Sequence, residues 1–169
     1  MSPFVVMNVQ CVLGLIAFGL IARWFLGPAL NRWKIGDALA LLCLFHAFRY
    51  VALGVYAPGQ VSPALPAGPV AVIVAGDTFS AILALVAAVM LRSRAPAAIA
   101  ATWIFNIVGV VDILASVPLA MTNQLYNEAL GFSWYVFTFY VPALVVTHVM
   151  MLARLAAHHP TELAHPLPN

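Results

Sequence analysis

Charge is what this sequence has least of: Asp, Glu, Lys and Arg make up 7% of its 169 residues. A typical soluble domain carries about 25%, so a soluble globular fold is excluded. Seven Lys and Arg against five Asp and Glu leave a net charge of +2, too small and too scattered for a nucleic-acid interface. Cysteine is also scarce. Cys11 and Cys43 are too few for a disulfide framework or a four-ligand zinc site, and both read as small buried hydrophobes. There is no phosphate-binding glycine loop, no HExxH, no CxxC and no G-x-S-x-G elbow, so no motif names a reaction.

What fills the chain instead is apolar: 64% of it is hydrophobic and its mean hydropathy is +1.03. A transmembrane helix requires about 20 mostly apolar residues to cross a hydrocarbon core ~30 Å thick. Five stretches meet that length, running roughly over Phe4 to Leu26, Gly36 to Ala57, Pro69 to Leu91, Ala97 to Met121 and Ser133 to Ala156. Breaker-rich segments separate them, including Gly27-Pro28, the Pro58 to Gly68 stretch and Ala95-Pro96. The pattern predicts an all-α, polytopic membrane bundle of five transmembrane helices. It forms one domain over residues 1–157, followed by a short disordered cytoplasmic tail over 158–169. His158, His159 and His165 in that tail could bind metal, but a disordered end is the simpler reading.

Basic residues set the expected orientation, because Lys and Arg in short loops stay cytoplasmic. Arg23, Arg32 and Lys34 flank the first loop, Arg92 and Arg94 fill the third, and Arg154 ends the last helix. The second and fourth loops have none, which puts the N-terminus outside, the C-terminus inside and the protein in the cell membrane as a multi-pass chain. The first stretch is too long for a signal peptide and has no basic segment before it.

Ionisable side chains at a helix centre disfavour insertion by roughly 2.5–3.5 kcal/mol, so each one calls for an explanation. There are five: His46, Arg49, Asp77, Asp112 and His148. Counting from the expected cytoplasmic helix ends at ~1.5 Å per residue puts Arg49, Asp77 and Asp112 about 20–22 Å up. His46, Asn106 and His148 fall lower, at about 12–15 Å. Two polar layers predict one buried polar core. His46, Arg49 and Tyr50, at i, i+3 and i+4, are expected to share a face and join the layers. Asp77 lies with Gly76, Ser80, Ala84 and Ala88 on a small-residue ridge suited to close helix packing. Asn106 and Asp112 point about 120° apart and are expected to face different neighbours. Asn8, Gln10, Cys11 and Tyr140 are candidates to complete the outer layer, and Pro118 and Pro142 to kink the fourth and fifth helices.

One arginine cannot neutralise two carboxylates, and the surplus calls for a proton, a charged His46 or a ligand. The leading expectation is therefore binding, or proton- or cation-coupled transport, of a small solute at Arg49, Asp77, Asp112, His46, Tyr50 and Asn106. A second reading is a membrane cytochrome with haem b between His46 and His148. A third is an isomerase-like acid/base enzyme on a lipid-soluble substrate, using His46 and an aspartate, and a fourth is a structural or accessory subunit. The partners implied are the lipid bilayer, a small ligand, ion or proton, and a second copy of the chain if enclosing a pathway needs one.

Overall fold

The computed structural model describes residues 1–157, so the expectations for the 158–169 tail and its histidines lie outside the described residues. The described residues are all-helical, with five helices long and apolar enough to span a membrane. These are α1 (Pro3–Leu30), α2 (Ile35–Tyr56), α3 (Ala67–Arg92), α4 (Ala98–Thr122) and α5 (Ser133–Ala157). Four of the five agree with the sequence reading to within two residues at each end.

The exception is α1, which runs through Gly27-Pro28 to Leu30 instead of stopping at Leu26. Proline has no N–H for the regular i→i−4 ladder and normally breaks it. Here a π-helical turn over Ala22–Leu26 widens the ladder, and the Gly27 N–H reaches the Ala22 carbonyl five residues back. A second π-helical turn, Val136–Tyr140, lies just ahead of Pro142 in α5 and relieves the same conflict there.

α3 packs between α2 and α4, and α5 closes the group by touching both α2 and α4. α1 lies outside, mainly against α5. Only 6% of its most apolar stretch is buried against 50% for α2, so α1 presents hydrocarbon nearly all round. Gly14 lets α1 lie close to α5: a Cβ there would meet the Thr138 carbonyl at 3.1 Å and the Pro142 ring at 3.2 Å.

The two ends of the bundle differ. At the end that carries the N-terminus, the α2–α3 and α4–α5 loops are tied together. The Ser62 N–H donates to the Ala129 carbonyl at 2.7 Å, and its hydroxyl donates to Glu128 Oε2 at 2.7 Å. Gly131, at φ +51°, lies so close to the Gln60 carbonyl that any side chain would collide with it. At the basic end, Arg92 pairs with Asp37, and Arg154 donates to Asn31 Oδ1 at 3.0 Å. Above that end lies an apolar core that includes Leu39, Leu42, Cys43, Phe105, Met151 and Leu155, all nearly or fully buried.

Candidate functional site

The site is built on a change of helical pitch. α2 is α-helical to Ala47 and then tightens to a 3-10 helix over Phe48–Tyr56. At about three residues per turn, Arg49 falls in line with His46 and Ala52, whereas Tyr50 is turned roughly a third of a turn away. Tyr50 is accordingly 51% exposed, and its ring packs on Phe48. It does not join the site as expected, because the i+4 rule holds only while α-helical pitch holds.

Arg49 is 2% exposed and bonds to two neighbouring helices, α3 and α4. Its Nε donates to Asp77 Oδ1 at 2.8 Å, its Nη2 to Asp112 Oδ2, and its Nη1 to the Gly109 carbonyl at 3.3 Å. The three charged groups expected at one level thus form one network, and a planar guanidinium is suited to forking between two carboxylates. Two bare backbone positions let the helices come close enough. A Cβ on Gly76 would collide with the Asp112 carboxylate. One on Gly109 would meet His148 Cε1 at 2.6 Å, His148 Nε2 at 2.8 Å and Arg49 Nη1 at 3.1 Å. Gly109 therefore joins the charged layer to the imidazole layer.

In that second layer His148 Nδ1 lies 2.5 Å from Asn106 Oδ1, and His46 Nε2 lies 2.8 Å from Thr147 Oγ1. The Thr147 hydroxyl donates to the Ala143 carbonyl at 2.8 Å, so it accepts from His46. Asn106 Oδ1 can only accept, so His148 donates from Nδ1. The other ring nitrogens, His46 Nδ1 and His148 Nε2, are buried without a hydrogen-bond partner among the described residues. Ser80 Oγ and Asn106 Nδ2 are likewise buried and unpartnered. Asn106 faces α5 and Asp112 faces α2, the divergence expected from their spacing.

A cavity of about 50 Å³ lies beside the charged layer. It extends from Leu65, Leu125 and Leu130 at the loop end, past Val55, Ile73, Val117 and Phe137, to Asp77 and Ser116. Ser116 in turn donates to Asp112 Oδ1 at 3.4 Å. The Asp77 and Asp112 side chains retain 17% and 13% of their exposure, while Arg49 retains 1%, and Asp77 is the one of the three that lines the cavity. The volume suits several waters or a solute of a few heavy atoms.

The other outer-layer candidates bond elsewhere. Asn8 donates to Phe4 on its own helix, Gln10 accepts from the Trp134 indole at 2.7 Å, Cys11 donates to the Phe137 carbonyl at 3.5 Å, and the Tyr140 hydroxyl donates to the Phe45 carbonyl at 2.7 Å. His46 bonds Thr147 and packs on His148, and it makes no hydrogen bond to an aspartate among the described residues. The acid/base pairing of His46 with a carboxylate is therefore not formed.

Haem does not fit the histidine pair. Metal–nitrogen bonds are about 2.0 Å long, so axial nitrogens on opposite faces of a macrocycle are about 4 Å apart, with ring centroids farther still. The His46 and His148 centroids are 4.1 Å apart and their planes are tilted by 54°, which leaves no room for a macrocycle between them.

Three participants went unseen in the sequence: Gly109, Thr147 and Ser116. Gly109 carried a usable signal, since it sits three residues after Asn106 and three before Asp112 on the fan that faces the site. The two hydroxyls carried none, because each also suits an ordinary bond to its own helix.

The family model described as Domain of unknown function (DUF8737) matches residues 6–156, and the protein belongs to that family. No curated protein and no solved structure matches the chain.

Proposed function

We propose that this member of the DUF8737 family is a multi-pass protein of the cell membrane, N-terminus outside, that binds a small solute in the cavity beside Asp77 and couples the binding to a proton or cation. The observation that carries the reading is an apolar cavity that reaches the Asp77 carboxylate, whose counter-ion, Arg49, is buried and shared with Asp112. With all three groups ionised, the network holds one negative charge in excess. A proton or a cation entering the cavity would offset it, and in a poorly screened interior that attraction is far stronger than in water. Transport of the solute is the extension of this reading to an alternating pathway. A purely structural network would have no use for an open space against its acidic side.

The test uses Ser133, which lines the cavity near its loop end. In a background with Cys11→Ala and Cys43→Ala, the Ser133→Cys protein is treated in detergent with cationic and anionic methanethiosulfonate reagents of equal size. The cationic reagent is expected to react several-fold faster, and Asp77→Asn to erase most of that preference. Failure of Ser133→Cys to react, or equal rates for the two reagents, would overturn the reading.

A further inference from the structure

Building on the binding role proposed above and resting on it, we infer that the solute is a small primary alkylammonium, so that solute and cation are one molecule. The surplus negative charge of the Arg49 network can be located. Asp112 spends both carboxylate oxygens, Oδ2 on Arg49 and Oδ1 on Ser116. Asp77 spends only Oδ1, on the Arg49 Nε. Its Oδ2 accepts no hydrogen bond among the described residues, yet it is not one of their fully buried, unpartnered atoms. The free acceptor therefore belongs to the carboxylate that lines the cavity. Arg49 is held back from that space: it is not part of the lining, and its donors are committed to Asp77, Asp112 and the Gly109 carbonyl.

The walls choose the kind of cation. Among the described residues that line the cavity, the only polar side chains besides Asp77 are Ser116 and Ser133, and no Lys, Arg or His is present. An inorganic ion would lose most of its water there and gain one carboxylate and at most two hydroxyls, and no three His, Cys, Asp or Glu among the described residues are grouped to hold a metal. An alkylammonium brings its own hydrocarbon. Its charged end suits Asp77, and its chain suits the apolar wall of Val55, Ile73, Val117 and Phe137. A primary ammonium also presents N–H donors, which a quaternary one lacks, for a charge-assisted bond to Asp77 Oδ2. A volume of about 50 Å³ suits roughly three or four heavy atoms, the size of propylamine.

The chain leaves this space where it gives up regular pitch. Ala52 and Val55 come from the 3-10 stretch of α2, and Val136 and Phe137 from the π-helical turn of α5, so both irregular turns border the same cavity. Single π-helical turns inside α-helices recur at functional sites, which agrees with a cavity kept for an occupant.

The experiment melts the full-length protein in detergent at pH 7, where alkylamines, like the lysine side chain, are protonated. The probes are methyl-, ethyl- and n-propylammonium chloride against a sodium chloride baseline of equal ionic strength, with 1-propanol and propyltrimethylammonium chloride as controls. n-Propylammonium is expected to raise Tm saturably, by about 3–6 °C at ten times its Kd. Kd should tighten about fourfold per methylene from methyl to propyl, because each methylene leaves water for the apolar wall. The two controls should give no shift, and Asp77→Asn should weaken n-propylammonium by at least about tenfold. The comparison of probes on the parent decides the matter even where Asp77→Asn does not fold. No ammonium shift above the sodium baseline, an equal shift from 1-propanol or the trimethyl analogue, a flat series from methyl to propyl, or an unchanged Kd in folded Asp77→Asn would each overturn the inference. The Ser133→Cys labelling separates the two levels: a charge preference there without an ammonium shift here removes the alkylammonium and keeps the cation-coupled cavity, whereas loss of the charge preference removes both.

Discussion

Replacing Arg49 by alanine removes the one donor that two carboxylates share. In the parent its Nε bonds Asp77 at 2.8 Å, its Nη2 bonds Asp112, and the side chain is 1% exposed. Breaking a buried ion pair by deleting one partner destabilises by about 3–5 kcal/mol, because the charge left behind is neither solvated nor paired. Two carboxylates are stranded here, but both keep some exposure and one can take up a proton, so the loss should stay near that range rather than double it. For a chain of this size about 1 kcal/mol corresponds to roughly 2–4 °C in Tm, which converts to a fall of about 6–20 °C. Arg49→Lys keeps the charge but not the fork and should recover only part of the fall. The two aspartates should separate. Asp77→Asn leaves Arg49 balanced by Asp112 and should stay within about 1 kcal/mol of the parent. Asp112→Asn also gives up the acceptor of Ser116 and should lose about 1.5–3 kcal/mol, the range for a hydrogen bond to a charged group. Melting followed by tryptophan fluorescence in detergent reads all four variants. An Arg49→Ala protein that melts within ~2 °C of the parent would refute the buried network, and identical melting of the two asparagine variants would refute their separate roles.

Gly109→Ala should destabilise by about 1–3 kcal/mol, because the new methyl would press on both His148 and Arg49. Gly76→Ala should lose a similar amount, and the same melting assay should show most of that loss vanishing in an Asp112→Ala background, where the obstructing carboxylate is gone. Tyr50→Phe, on an exposed face, should leave both the melt and the charge preference of cavity labelling unchanged. For the proposed orientation, a Gln60→Cys reporter free of Cys11 and Cys43 should be labelled in intact cells by an impermeant thiol reagent, and labelling only from the cytoplasmic side would reverse the topology.

The helices were legible because length and hydropathy alone decide them, and the charged network because cost narrows the arrangements: three ionisable groups at one level on three apolar helices have few places to go but toward each other. Tyr50 was misplaced for a local reason. Nothing in Phe48-Arg49-Tyr50 announces a 3-10 pitch, yet that pitch decides whether i+4 shares a face. The run through Gly27-Pro28 was hidden in the same way, since a proline that ends one helix can be absorbed by a π-helical turn in another. The Gly76 row was read as a ridge for helix packing, whereas its most specific work is to clear room for the Asp112 carboxylate. The cavity was not legible at all, because it belongs to four helices and two loops whose relative placement no periodicity records.

The polar path is one-sided. From the loop end it runs past the cavity to Asp77 and Asp112, through Arg49 and across Gly109 to the imidazoles, and there it stops. Phe105 forms the boundary, its ring centred 5.3 Å from that of His46 and 5.7 Å from that of His148, and below it Leu39, Leu42, Met151 and Leu155 close the basic end with close-packed side chains. A charged species gains nothing from entering that apolar core, so the basic end is sealed. For transport, the close packing around Phe105 is the element that would have to repack, and the barrier to movement would lie there rather than at the ion pairs.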